Sequence, residues 1–240
     1  MATYVCSDLH GHLELYEQIK DYIQPEDKVF YLGDAGDRGP QCWETIKTIY
    51  NDPQFIYIKG NHEDMLVDAM RDYLRPSRRF SDAYHLLARN GGMRTFEEWE
   101  KDENKEVWMQ QLLELPTFEI YHNAQEQTIY LTHAGFTPYW NESRKDTYLP
   151  LDEDLIWDRD HFLDEWDEEH FPNHMVVHGH TPSHYIYREQ GYTLDSYELG
   201  EYRYCDNHKI CVDCGTYATK TVCLLNMDTW ESKLFKGQEL

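Results

Sequence analysis

Apolar and polar positions follow a regular order over the first third of the chain. Short apolar runs, each ended by a polar or glycine-containing cluster, predict β-strands at 3–6, 29–32 and 55–58. Apolar residues elsewhere recur every three or four positions, which predicts helices with one buried face at 13–23, 43–50 and 65–73. This alternation of strand and helix predicts βαβ units in a mostly parallel sheet.

The rest of the chain departs from this order. Residues 74–114 are polar, have helical spacing and contain no strand candidate, so they predict a helical insertion over one edge of the sheet. Later apolar runs predict further strands at 118–121, 129–131, 175–177, 211–212 and 221–225. The tyrosine-rich segment 185–205 predicts a hairpin or a loop. Because no linker or repeat divides the 240 residues, we expect a single domain, 1–240.

Five of the predicted strands end in the same kind of cluster, an Asp, His or Asn beside glycine. The clusters are Asp8-Leu9-His10, Gly33-Asp34, Gly60-Asn61-His62, His133-Ala134-Gly135 and His178-Gly179-His180. The carboxyl ends of parallel strands form the ligand crevice of an α/β sheet, so the clusters are expected to converge. Carboxylates, an amide oxygen and imidazoles suit Mn, Fe or Zn, and one aspartate can bridge two ions. The pattern therefore predicts a metal site.

Two divalent ions can hold both the attacking and the leaving oxygen of a displacement at phosphorus. Sequence signatures of other phosphate chemistries are missing. There is no Gly-x4-Gly-Lys-Ser/Thr loop, no Cys followed six positions later by Arg, and no Gly-x-Ser-x-Gly elbow. Asp152 and Asp154 have the spacing of an aspartyl-nucleophile pair, but no apolar strand leads into them.

Charge narrows the range of partners. The chain has 45 acidic and 22 basic residues, a net charge of −23, which disfavours a nucleic-acid backbone or an anionic membrane as partner. A phosphorylated ligand held locally by metal or arginine is compatible with that charge. No apolar run reaches membrane-spanning length, and no signal peptide is evident, so a cytoplasmic location is expected. Cys211 and Cys214 are interpreted as thiols of an apolar strand, with a metal or redox site as the less favoured alternative. His178, two residues before His180, is a candidate for lining the site, but ligation by it is not favoured.

Motifs in this order, over residues 7–181, resemble those of the calcineurin-like metallophosphoesterases. The chain is most similar to their phosphoprotein phosphatase group, in the small form found in bacteria and phages. Further matches occur at 90–92, 114–116, 156–159 and 213–216, so the resemblance covers nearly the whole chain. It implies an α/β fold with a central mixed β-sheet sandwich flanked by helices and a helical insertion at about 74–114.

The resemblance also implies a role for each residue of the site. Two divalent metal ions are expected, with Mn first and Fe or Zn as alternatives. The metal ligands would be Asp8, His10, Asp34, Asn61, His133 and His180, with Asp34 shared by both ions. A hydroxide shared by the two cations would attack phosphorus directly, and His62, oriented by Asp37, would protonate the leaving oxygen. Arg38, Arg159 and Asn61 would bind the phosphate oxygens.

Substrate choice stays open at this level. The resemblance implies a phosphatase acting on phosphoserine or phosphothreonine of proteins. Its alternatives are a symmetrical bis(5'-nucleosyl)-tetraphosphatase and an inactive metal-binding domain that recognises phosphorylated partners. Intact His62 and Asp37 argue against the inactive domain, and the charge disfavours a nucleic-acid end phosphatase. One basic cluster would either meet a polyphosphate tail or form a solvated helix end; it comprises Lys59, Arg71, Arg75, Arg78 and Arg79.

Overall fold

Two mixed five-stranded β-sheets account for most of the strands in the computed structural model, which describes residues 1–75, 81–148 and 150–237. The first part of the chain forms β1 (Thr3–Cys6), α1 (Leu13–Tyr22), β2 (Lys28–Tyr31), α2 (Cys42–Asn51), β3 (Phe55–Tyr57) and α3 (Asn61–Leu74). The predicted insertion forms α4 (Asp82–Arg89), α5 (Met93–Glu100) and α6 (Lys105–Leu113). Its described residues contain no strand, as predicted.

The second part of the chain is richer in strands. It forms β4 (Phe118–His122), β5 (Thr128–Thr132), β6 (Tyr139–Asn141), β7 (Asp146–Tyr148), α7 (Asp152–Trp157), β8 (His174–His178), α8 (Ser183–Glu189), β9 (Tyr202–Tyr204), β10 (Lys209–Cys211), α9 (Thr216–Thr219), β11 (Thr221–Asn226) and β12 (Ser232–Lys236). None of the helices in the described ranges is both long and apolar enough to span a membrane.

The expectation of one mostly parallel sheet is corrected. The first sheet has the order β12-β11-β1-β2-β3, and the second has β4-β5-β8-β10-β9. Strands β1 to β3 are parallel, as are β5, β8 and β10, whereas β4, β9, β11 and β12 pair antiparallel with their neighbours. Short connections such as those of β4–β5 and β11–β12 permit antiparallel pairing only, which makes both sheets mixed. The sandwich implied by the resemblance is confirmed.

Alternating side chains decide which face each strand buries. Val5 of β1, Leu131 of β5 and Val177 of β8 belong to one buried cluster between the two sheets. The residues next to them in sequence point the other way: Cys6 belongs to a cluster with buried residues of α1 to α6, and Tyr130 to a cluster that includes Leu155 of α7. This period of two is what a strand covered on both faces requires.

Segments with weak apolar signals differ from the prediction. Residues 185–205 contain most of α8, a 3₁₀ turn at Leu194–Ser196 and strand β9, where a hairpin or loop was expected. Strands β6, β7 and β12 were not predicted, because the first two have three residues each and β12 reads Ser-Lys-Leu-Phe-Lys. The apolar pattern of a strand this short or this polar does not identify it, because such a strand depends on pairing with its neighbour.

We expect Leu131→Ala to lower the free energy of unfolding by about 2–5 kcal/mol, because it leaves a cavity between the sheets. Leu131 is fully buried. Ile120→Ala on the neighbouring strand β4 is the matched control: its side chain is 41% exposed, so a loss below about 1 kcal/mol is expected. Urea unfolding of both variants measures this, and equal losses would contradict the face-to-face packing.

Candidate metal centre

The ends of six parallel strands, three from each sheet, meet at one edge of the sandwich. Direct bonds join the loops that follow them. The backbone N–H of His180 donates to Asp8 Oδ2 at 3.1 Å, and His133 Nδ1 donates to the carbonyl of Leu32 at 2.6 Å. The backbone N–H of His62 donates to Asp34 Oδ1 at 3.0 Å. The predicted clusters are therefore brought together as expected.

One group of donor atoms gathers around Asn61. Its Oδ1 lies 3.0 Å from His133 Nε2 and 2.9 Å from His180 Nδ1, and these two nitrogens are 3.1 Å apart. Because His133 Nδ1 donates its proton to Leu32, its Nε2 presents a lone pair whenever the ring is neutral. Lone pairs this close repel unless a positive charge lies among them. The oxygen–imidazole set fits a divalent ion such as Mn, Fe or Zn.

A second group adjoins the first through Asp34. Its Oδ1 lies 3.4 Å from His133 Nε2, whereas its Oδ2 lies 3.8 Å from both His10 Nε2 and His62 Nε2. Asp8 Oδ1 is 4.0 Å from His10 Nε2. The two oxygens of Asp34 thus face two separate sets of donors, which is how a bridging carboxylate is placed. His62 Nε2 is thus as close to Asp34 as His10 Nε2 is, although the resemblance implies a proton donor at His62 and a metal ligand at His10.

The backbone around these side chains is held in an unusual conformation. Six site residues have positive φ, namely Asp8, His10, Asp34, Asp37, Arg38 and His180, with values from 45° to 67°. For non-glycine residues each such conformation costs about 1–3 kcal/mol and persists only where the surroundings impose it. Glycines make the close approach possible: a Cβ on Gly60 would lie 2.3 Å from Asp34 Oδ1.

Glu63 imposes that conformation on the Asp34 loop. Its buried carboxylate accepts hydrogen bonds from the backbone N–H groups of Asp34, Ala35 and Gly60 at 2.8–2.9 Å, and from the Tyr57 hydroxyl at 2.8 Å. Sequence reasoning assigned Glu63 only to the start of α3. The available signal was its position three residues after the N-cap Gly60, where a glutamate reaches back to the loop before the helix.

Burial and charge act against each other at the carboxylates. Burial, reinforced by Asp213, raises the pKa of Asp8 well above its usual range. Burial also acts to raise the pKa of Asp34, but the imidazoles of His133 and His62 outweigh it and hold that pKa well below the usual range. Burial lowers the pKa of His133, yet Asp34 raises it to about 9. A metal ion entering this group therefore displaces a proton from His133.

A hydrogen-bonded pair stands beside the donor groups. His62 Nδ1 and Asp37 Oδ2 are 2.5 Å apart, and both residues are buried. Asp37 Oδ1 also accepts from the Thr95 hydroxyl of α5, which ties the helical insertion to the site. Burial lowers the pKa of His62, but Asp34 and Asp37 together raise it above its ordinary value. The pair has the form of an imidazole oriented by a carboxylate.

A pocket of about 300 Å³ opens over the centre. Its lining includes the predicted residues His10, Asp34, Arg38, Asn61, His62, Arg159 and His180. Asp8, Asp37 and His133 are buried beside them. The prediction missed further lining residues, namely Arg89, Asn90, Pro182, Asp213 and Tyr217. Asp213 had a recognisable signal, because it follows the apolar strand β10 as Asp8 follows β1.

Other sequence candidates lie elsewhere. His178 Nε2 is 2.7 Å from the Tyr204 hydroxyl, in agreement with a structural role, and Cys211 and Cys214 are buried free thiols. Within the basic cluster, Arg71 pairs with Asp68 and Arg75 with Asp72 on their own helix, so these two form a solvated helix end. Lys59 Nζ donates to the carbonyl of Leu113. Arg78 and Arg79 lie outside the described residues.

Comparison with known proteins agrees with this geometry. A family model described as calcineurin-like phosphoesterase matches residues 1–213. The chain belongs to the calcineurin-like phosphoesterase family. Among curated members, it is 28% identical over 146 residues to a symmetrical bis(5'-nucleosyl)-tetraphosphatase of Pseudomonas fluorescens, covering 59% of this chain and 44% of that one. A tetraphosphatase of the same name from Marinomonas sp. is 29% identical over 65% of this chain and 52% of its own. The matches span about half the length of these relatives.

Solved structures of other proteins share the fold. A putative diadenosine tetraphosphatase aligns with a TM-score of 0.62 at 14% identity, covering 99% of this chain and 94% of its own. A protein serine/threonine phosphatase from Saccharomyces cerevisiae aligns with a TM-score of 0.61 at 13% identity, covering 100% and 81%. The family and its fold are thereby established, and family membership implies divalent metal ions.

We expect Gly60→Ala to abolish tight Mn²⁺ binding, because the added methyl group would press on the carboxylate that faces both donor groups. Metal content after gel filtration, measured by plasma mass spectrometry, tests this. Gly191→Ala is the matched control: Gly191 has φ +88°, but nothing lies within 4 Å of its Cβ position, so its metal content should not change. A Gly60→Ala protein that keeps two ions would contradict the close packing at Asp34.

Proposed function

We propose that residues 1–240 form a single domain that hydrolyses phosphomonoesters or, as the alternative, a phosphoanhydride, with two divalent metal ions, Mn first among them and Fe or Zn as alternatives. The observation that carries the proposal is Asp34, whose two oxygens face separate donor groups beneath a pocket lined by arginines. Such a shared carboxylate suits a two-metal site for displacement at phosphorus. The six free cysteines favour the reducing cytoplasm as its location.

We assign the metal ligands to two sets. Asp8, His10 and Asp34 hold one ion, and Asp34, Asn61, His133 and His180 hold the other. When bound, two divalent cations lower the pKa of a coordinated water to near neutrality and neutralise charge on the phosphate. Asp8 is assigned in place of His62 because the motif resemblance implies it, although the distances alone favour His62, whose Nδ1 is bonded to Asp37.

The remaining polar groups of the site handle the proton and the phosphate. His62 donates a proton to the leaving oxygen, and Asp37 orients the ring through its Nδ1. Arg38 points two guanidinium nitrogens at the ring nitrogens of His10 and His62, each at 2.8 Å. Its planar fork therefore reaches the place where the phosphate oxygens would lie. Arg159 and the Asn61 amide complete the phosphate contacts.

Two substrate classes are supported, by different observations. Motif resemblance to the phosphoprotein phosphatase group supports phosphoserine or phosphothreonine in proteins. The curated relatives support a dinucleoside tetraphosphate, since they are named for that activity. An inactive domain that only recognises phosphorylated partners is disfavoured by the buried His62–Asp37 pair, because binding alone needs no proton donor.

A competition assay distinguishes the two classes. The protein is stripped of metal, reloaded with Mn²⁺ and given equal amounts of a phosphoserine peptide and diadenosine tetraphosphate. Free phosphate from the peptide supports the protein phosphatase, and ADP as main product supports the tetraphosphatase. If neither compound is turned over while two ions are bound, the proposed hydrolase activity is wrong.

His62 and Asp37 make a separate prediction. His62→Ala should lower kcat by about 10²–10⁴-fold for alkyl phosphates, and less for p-nitrophenyl phosphate, whose leaving oxygen needs little protonation. Metal content should be retained; its loss would make His62 a ligand. Since Asp37 helps to raise the pKa of His62, Asp37→Asn should move the alkaline limb of the kcat–pH profile to lower pH. His85→Gln, at an exposed histidine of α4, is the control for both measurements.

A further inference from the structure

Among the described residues, the arginines that lack an acidic partner are concentrated in one place. Nine arginines lie in the described residues, and five of them pair with a carboxylate: Arg71, Arg75, Arg94, Arg188 and Arg203. Within the same residues, Arg38, Arg89, Arg144 and Arg159 have no carboxylate within 4.0 Å. Three of these four line the 300 Å³ pocket. In a chain of net charge −23, this leaves positive charge available for an anion there.

Arg89 is the pocket arginine with no role in the proposed reaction. It is the last residue of α4, and the turn after it is held against the Asp37–Arg38 loop. Arg38 donates from Nε to the carbonyl of Asn90 and from its backbone N–H to the carbonyl of Gly91, both at 3.3 Å. These two bonds hold the turn after α4 against the Asp37–Arg38 loop, so Arg89 has a defined position at the pocket.

A helix-end role does not account for this placement. A basic residue in the last turn of a helix is favourable whatever it faces, and Arg71 of α3 has that position while paired with Asp68. Arg89 occupies the equivalent position of α4, but it is exposed, has no carboxylate partner among the described residues and lines the pocket. One phosphate group already has Arg38, Arg159 and Asn61, so a third guanidinium suits a second anionic group.

We infer that Arg89 binds a second phosphate group, bonded to the one that is attacked, and that the substrate is a small-molecule polyphosphate. The inference rests on the proposed function and assigns a substrate class to the same site. The reaction remains a hydrolysis: the oxygen of water bonds to the attacked phosphorus, and the bond from that phosphorus to the bridging oxygen breaks. The bridging oxygen leaves on the second phosphate, which Arg89 holds, with a proton supplied at His62.

The test compares diadenosine tetraphosphate with p-nitrophenyl phosphate, which carries a single phosphate. Arg89→Gln should lower kcat/KM for the tetraphosphate about tenfold or more relative to kcat/KM for p-nitrophenyl phosphate, because one charge-assisted hydrogen bond is lost. Arg89→Lys should recover part of that ratio. Arg144→Gln, at the unpaired arginine outside the pocket, should leave both values within about twofold.

A binding measurement separates this inference from the proposed function. Equilibrium dialysis of diadenosine tetraphosphate, at matched free Mn²⁺ and in a His62→Ala background, should show weaker binding on adding Arg89→Gln. If wild-type protein hydrolyses neither compound but this loss of binding is seen, the hydrolase proposal fails and the second-phosphate contact stands. If Arg89→Gln lowers both kcat/KM values equally, or changes neither value nor the binding, the inference is wrong.

Discussion

The structure depends on the placement of buried negative charge where the two sheets meet. Asp8, Asp34 and Asp213 are each almost completely buried, and each follows a strand that ends at the same edge. Isolated carboxylates are not stable in such a place unless positive charge is supplied. Protonated His133 supplies some of it, and bound divalent ions would supply more, displacing that proton. Metal affinity and the stability of this edge are therefore coupled.

Local strain at the centre is maintained by the surrounding fold. Six residues of the site have positive φ, and Glu63 holds the Asp34 loop through the backbone N–H groups of Asp34 and Ala35. Neither arrangement is favourable by itself, because left-handed backbone and a buried carboxylate both cost free energy. The backbone N–H groups of the Asp34 loop donate to the Glu63 carboxylate, so the polar groups of both are satisfied. These bonds fix the positions of the site residues, which favours electrostatic stabilisation of a transition state without reorganisation.

The helical insertion is part of the site and not only a cover for the first sheet. Thr95 of α5 bonds to the carboxylate that orients His62, and the turn before α5 bonds to Arg38. Arg89 enters the pocket from the same segment. Substrate preference is therefore expected to depend on the insertion as well as on the strand-end clusters, because the insertion contributes Arg89 and Asn90 to the pocket lining.

The sequence by itself determined the strands and helices with strong apolar periodicity and the residues that meet at their ends. Local pattern suffices there, because a buried strand followed by Asp, His or Asn beside glycine places those groups at a crevice. Only the tertiary structure decided how the strands are ordered within the two sheets of the sandwich, that Glu63 holds the Asp34 loop and that Arg89 reaches the pocket. Those features rest on pairing, burial and charge between residues far apart in the chain, which no local pattern encodes.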